Sequence, residues 1–129
     1  MGELNPKGTP IMLGGKERRL LFTLNAIDEI QERFGLPLEE AISQLTDMEK
    51  ANGALKAIIT ILVNDEIERL SYKGKECSLK PLDEKEVGWM VTSQDRMDAL
   101  MAVLKAYGGS LPEPGEGESP NQESGQQDG

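Results

Sequence analysis

Residues 54–70 read Ala54-Leu55-Lys56-Ala57-Ile58-Ile59-Thr60-Ile61-Leu62-Val63-Asn64-Asp65-Glu66-Ile67-Glu68-Arg69-Leu70, and this stretch decides the fold. Leu55, Ile58, Ile59, Leu62, Ile67 and Leu70 mark one buried helix face. Ile61 and Val63 fall outside that face and widen the apolar arc, so the middle of the helix is expected to be enclosed or to bind something. Asp47 is the expected cap, which puts the helix at about residues 48–70 and makes it roughly 35 Å long. Gly53 is its weak point, by about 1 kcal/mol relative to Ala. Asp65, Glu66, Glu68 and Arg69 read as a solvated far end.

On the N-terminal side, Ile11-Met12-Leu13 and Glu17-Arg18-Arg19-Leu20-Leu21-Phe22 read as two short strands around Gly14-Gly15-Lys16. Two strands alone are marginal in water, so this hairpin has to lean on helices. A first helix follows, opened by Thr23 or Asn25, striped by Leu24, Ile27, Ile30 and Phe34, and stopped by Gly35. Pro37 suits the first turn of a second helix near 37–46, with Leu38, Ala41, Ile42 and Leu45 inward.

On the C-terminal side, Ser71–Lys80 is a polar connector with a turn at Lys73-Gly74. Asp83 and Glu86 have capping-box spacing, and Leu82 with Val87 that of a hydrophobic staple. They start a short helix carrying Val87, Trp89, Met90 and Val91. A last helix, about 94–107, places Met97, Leu100, Met101, Leu104 and Tyr107 on one face and ends at Gly108-Gly109.

The chain has 129 residues, 14 basic and 23 acidic side chains, a net charge of −9, one cysteine and no histidine. The absence of histidine removes His-based triads, His-liganded zinc and the commonest general base. One cysteine forms no internal disulfide and no thiolate zinc cage. The acidity, with a pI near 4.5, argues against nonspecific nucleic-acid binding. The longest apolar run, Ala57–Val63, is far short of a membrane span, and Met1–Pro6 has no signal-peptide pattern. Residues 109–129 hold Glu113, Glu116, Glu118, Glu123 and Asp128 with no base and one large apolar side chain, Leu111. Such a segment buries too little to offset roughly 1–2 kcal/mol of backbone entropy per residue. The expected organisation is therefore a flexible N-terminus at 1–10, a small, mainly α domain with a short N-terminal β-hairpin at 11–108, and a disordered acidic C-terminal tail at 109–129.

No chemistry-bearing motif survives inspection. Gly14-Gly15-Lys16 lacks the spacing and the following helix of a phosphate loop and reads as a hairpin turn. Asp28, Glu29 and Glu32 read as a solvated helix face rather than a metal site, and so do Asp65, Glu66 and Glu68. Cys77 has no activating histidine and reads as an idle thiol. Arg18-Arg19 reads as an exposed strand end. No catalytic, cofactor or metal residue is assigned, and the chain is not expected to be an enzyme. The six methionines are the one compositional excess, and methionine suits adaptable partner-binding surfaces. Trp89, Met90, Met97, Met101 and Leu104 are the candidate partner-binding residues.

The order of these elements resembles the tail assembly chaperones of long-tailed, siphovirus-type phages and prophages. The resemblance rests on Ile11–Thr23, a hairpin centred on Gly-Lys; on Leu24–Gly35, an acidic helix ending in Phe-Gly, followed by Leu38-Glu39-Glu40-Ala41; on the apolar helix around Ala57–Val63; and on Leu82-Asp83-Glu84-Lys85-Glu86-Val87-Gly88. It covers about residues 11–107, and the basic connector Tyr72–Lys80 departs from the pattern. It implies a non-enzymatic helper of virion morphogenesis that binds the tape-measure protein and recruits tail-tube subunits, with possible self-association. It also implies no nucleic-acid or membrane partner, residence in the cytoplasm of the host bacterium, and absence from the mature virion. A two-length product, the longer made by ribosomal frameshifting, with the tail as a flexible tether, belongs to the same resemblance. A small acidic adaptor or regulatory domain is the alternative reading.

Overall fold

The computed structural model describes residues 8–75 and 78–111. Strands β1 (Thr9–Leu13) and β2 (Lys16–Leu20) are followed by helices α1 (Leu24–Phe34) and α2 (Leu38–Ser43) and a 3-10 turn at Gln44–Thr46. Then come α3 (Ala51–Tyr72), α4 (Glu84–Met90) and α5 (Arg96–Ser110). The protein is thus mainly helical with an N-terminal antiparallel hairpin, as the sequence predicts. Cys77 and the expected tail from residue 112 lie outside the described residues, as do residues 1–7 of the N-terminus.

The hairpin turn is made by Gly14 and Gly15, whose φ values of 58° and 81° suit a tight two-residue turn that twists with its strands. The register pairs Ile11 with Arg18 and Leu13 with Lys16. Alternation then sends Ile11, Leu13, Arg18 and Leu20 inward and leaves Met12 and Glu17 outside. β1 begins at Thr9, two residues before the expected hairpin start.

α1 is capped by the Thr23 hydroxyl, which accepts from the Ala26 N–H at 3.0 Å, and it ends in the left-handed residue Gly35. Its buried residues are Ala26 and Ile30, with Ile27 and Phe34 half-buried. Leu24, expected on the apolar stripe, is 80% exposed. It sits at the first helical position, before α1 has reached the surface it packs on. In α2 and the 3-10 turn, Ala41, Ile42 and Leu45 are buried as expected.

α3 is the axis of the molecule: α1, β2, α4 and α5 all pack on it. Ile58, Ile59, Leu62 and Val63 are fully buried, so the widened arc corresponds to enclosure on several sides. The helix starts later than Asp47. The Asp47 carboxylate instead accepts from the Glu49 and Lys50 N–H groups at 2.9 and 3.3 Å, closing a separate turn that leads into Ala51. At the other end, α5 runs through Gly108-Gly109 to Ser110, whose hydroxyl donates to the Tyr107 carbonyl at 2.6 Å. Glycine permits a helix stop but does not impose one.

The largest departure from the sequence reading is the far half of α3. Asn64, Asp65 and Glu66 are three successive polar residues, and each fastens a different element. Asn64 accepts from the Leu82 N–H at 2.9 Å and donates to the Leu82 carbonyl at 2.8 Å, holding the segment that leads into α4. Asp65 accepts from the Thr23 hydroxyl at 2.9 Å, so the cap of α1 is itself anchored. Glu66 accepts from Arg18 Nε at 2.9 Å, and Arg18 Nη2 donates to the Val63 carbonyl at 2.8 Å. Arg18, Asp65 and Glu66 are only 3%, 8% and 7% exposed. Neither the solvated helix end nor the exposed strand end exists at these positions. Arg18 is carried inward by strand alternation and Glu66 by the helical period through Ile59 and Leu62.

Buried charges are tolerated only as partners. Arg18→Met or Glu66→Leu alone is expected to cost about 3–5 kcal/mol, because the surviving charge stays buried. The double variant is expected to cost less than either single change. Urea unfolding of the four proteins measures this, and additive losses contradict it.

Candidate partner-binding surface

Of the exposed large apolar side chains among the described residues, Leu24, Met48 and Tyr72 stand apart on α1, the turn before α3 and the end of α3, and the others lie on the hairpin, α4 and α5 or just beyond α5. Met12 on the outer face of β1 is 62% exposed, Met97 and Met101 on α5 are 58% and 56%, and Trp89 on α4 is 72%. This follows from how α5 packs. Its buried face is Ala99, Val103 and Ala106 rather than the methionine face read from spacing. Small side chains on α5 let β1 and α3 approach closely, and the larger Met97 and Met101 are left outside. Leu100, Leu104 and Tyr107 are half-buried, and Tyr107 meets Phe22 edge to face at 5.8 Å between ring centroids.

Two grooves run between the hairpin and α5 and share Pro10, Asp98 and Ala102. One, of about 450 Å³, lies between Met12, the Gly14-Gly15 turn, Met90 and Ala99. The other, of about 520 Å³, lies between Thr9, Met101, Leu104 and Lys105. The two adjoin at these residues as one open, shallow channel, and Met12, Met90, Met101 and Leu104 are among its lining residues. The Met90 thioether reaches the turn and lies 3.5–3.6 Å from where a Cβ on Gly14 would sit. Asp95, Asp98 and Lys105 line the channel beside these apolar groups.

The five candidate residues do not form one patch. Met90, Met101 and Leu104 line the channel. Met97 is exposed on α5 outside both grooves. Trp89 stands at a separate groove of about 360 Å³ between α3, α4 and the start of α5. Met12 belongs to the channel and was missed by the sequence reading. Its signal was available: in a strand where Ile11 and Leu13 face inward, Met12 faces outward.

α4 is held from both ends of its first turn. Its capping box is complete, with the Glu86 N–H on Asp83 at 2.8 Å and the Asp83 N–H on Glu86 at 2.9 Å. Arg33 at the end of α1 grips both oxygens of Glu84 at 2.8 and 3.1 Å. That hydrogen bonding holds the Glu84 carboxyl below its ordinary value of 4.5, while Lys56 adds a smaller attraction. Glu29 on α1 is raised instead, first by partial burial and then by repulsion from Glu68, Asp65 and Glu32. Among the described residues no group of three or more Cys, Asp or Glu side chains is placed to hold a metal ion. No helix among them is long and apolar enough to cross a membrane.

Two outcomes are expected. Met101→Asp leaves stability within about 0.5 kcal/mol, since the side chain is outside the core. Val103→Asp, two residues on and fully buried, unfolds the domain; thermal melts of both check the orientation of α5. The second outcome concerns pH. A depressed Glu84 contributes stability that is present above 4.5 and lost as pH falls through its lower folded value, whereas a raised Glu29 costs stability at neutral pH and ceases to do so on acidification. Glu84→Gln therefore lowers the melting midpoint at pH 7 and Glu29→Gln raises it slightly, and both differences are smaller at pH 3 than at pH 7. Melts at the two pH values check the signs.

No family model, curated protein or solved structure with which the chain was compared matches it.

Proposed function

We propose that the chain is a non-enzymatic tail assembly chaperone that holds the tape-measure protein of a long-tailed phage while tail-tube subunits are recruited. The channel walled by Met12, Met90, Met101 and Leu104 is the single observation that carries this reading. An unbranched thioether adapts its shape to different apolar ridges, which suits a protein that holds many segments of one long helical partner. Net charge −9 keeps such a complex soluble while the apolar surface is occupied. The resemblance in element order supports the same reading. The protein then acts in the cytoplasm of the infected or lysogenic bacterium and is left behind when the virion is complete.

The test is co-expression with a tape-measure protein encoded beside this chain. Wild type is expected to keep that protein in the soluble fraction. Met12→Asp and Met101→Asp together are expected to lower the soluble amount at least several-fold, with their own folding intact. Equal solubilisation by the double variant removes the channel as the holding surface. Failure of the wild type to solubilise any such protein, with a stoichiometric complex formed with one other factor instead, favours the adaptor reading.

A further inference from the structure

The groove beside Trp89 differs in kind from the methionine channel. Its floor is apolar, with Leu55, Ile59, Val87 and Val91, and three cations line it: Lys56, Lys85 and Arg96. No carboxylate lines it, although the whole chain has 23 acidic side chains against 14 basic ones. Among the described residues none of the three cations forms an ion pair. Arg96 donates to the neutral Asn52 side chain at 2.9 Å. Glu84 feels Lys56, but both its oxygens are taken by Arg33. The Lys56 stem lies against Gly88, where a Cβ would stand 2.9 Å from Lys56 Cδ.

The complementary segment is in the same chain. Pro112–Gly129 carries Glu113, Glu116, Glu118, Glu123 and Asp128, no base, and three prolines. It continues from the end of α5, and Arg96 stands at the beginning of the same helix. Fifteen helical residues span about 22 Å, and a chain extended at about 3.1 Å per residue retraces that distance in about seven. A segment that ran back along α5 would therefore bring Glu118 level with Arg96, with Pro120 and Glu123 beyond it. A proline ring has a natural seat on an exposed aromatic ring. A tether of this length gives a local concentration on the order of millimolar, enough to populate a contact too weak to form between separate molecules.

We propose that the Trp89 groove is the docking site of the chain's own acidic C-terminal segment, which covers Trp89 by pairing its carboxylates with Lys56, Lys85 and Arg96. The inference does not depend on the chaperone reading. Any outside partner for this groove has to displace the segment and so has to be more acidic or more apolar than it.

Trp89 is the sole tryptophan, so its fluorescence reports on the groove directly. Acrylamide, a neutral quencher, is titrated into three full-length proteins at low salt. They are the wild type, a chain with Glu113, Glu116, Glu118 and Glu123 changed to Gln and Asp128 to Asn, and Lys56→Gln/Lys85→Gln. Both variants are expected to quench about two-fold more steeply than wild type, as when docked and open states are comparably populated. High salt should erase the difference by screening. Equal quenching in all three overturns the proposal by leaving the groove open in the wild type. Protection of the wild type that fades on dilution also overturns it, because the cover is then a second molecule.

Discussion

A helix whose middle is apolar on more than one face has to be surrounded there, and α3 imposes that condition on the rest of the chain. Ala54, Leu55, Ala57, Ile58, Ile59, Leu62 and Val63 point in directions that no single packing partner covers. The hairpin, α1, α4 and α5 are each too short to stand alone, and α3 supplies the surface that makes them stable. Burial by itself does not say where each of them goes. That is settled by Asn64, Asp65 and Glu66, which offer three consecutive polar groups aimed at the α4 lead-in, the α1 cap and β2. A misplaced element would leave one of these groups buried without a partner, at a cost of about 1–3 kcal/mol for a neutral group and more for a charge.

The two surfaces around α4 and α5 follow from the same geometry. α5 turns Ala99, Val103 and Ala106 inward where it meets β1 and α3. Its methionines are thereby displaced to the rim, and the outward-facing Met12 of β1 completes the channel. α4 is too short to bury more than Val87 fully, so Trp89 stands clear of the core one turn from Lys85. The chain thus presents an apolar, adaptable channel on one side of Met90 and a cationic, aromatic groove at Trp89. The two linings differ in chemistry: Asp95, Asp98 and Lys105 stand beside the methionines of the first, and Lys56, Lys85 and Arg96 beside Trp89 in the second.

How far the residues alone lead differs from element to element. The Gly14-Gly15 hairpin, the Thr23 cap, the Gly35 stop and the Asp83/Glu86 capping box are legible because each depends on side chains a few positions apart. The core stretch Ile58–Val63 is legible because its apolar character is continuous. Arg18 and Glu66 misled because charge outweighed position in the reading. Alternation from Leu20 puts Arg18 inward and the helical period puts Glu66 inward, but either placement is acceptable only if the other holds. Their separation of 48 residues hides that mutual condition from any local pattern. The methionine face of α5 misled for a related reason: size and hydrophobicity favoured Met97 and Met101 for the core, whereas the helix packs through Ala99, Val103 and Ala106.

The amino-acid sequence by itself determined the class of the fold, both ends of α1 and the start of α4, since these follow from side chains a few positions apart, and it excluded histidine chemistry because the chain has no histidine. Tertiary structure decided which charges are buried, which large apolar side chains are left at the surface, and that Trp89 and Met101 belong to different grooves. The physical reason is that burial is a property of pairs of elements. Whether a side chain is covered depends on the space left by a neighbour whose position is fixed by residues far away in the chain.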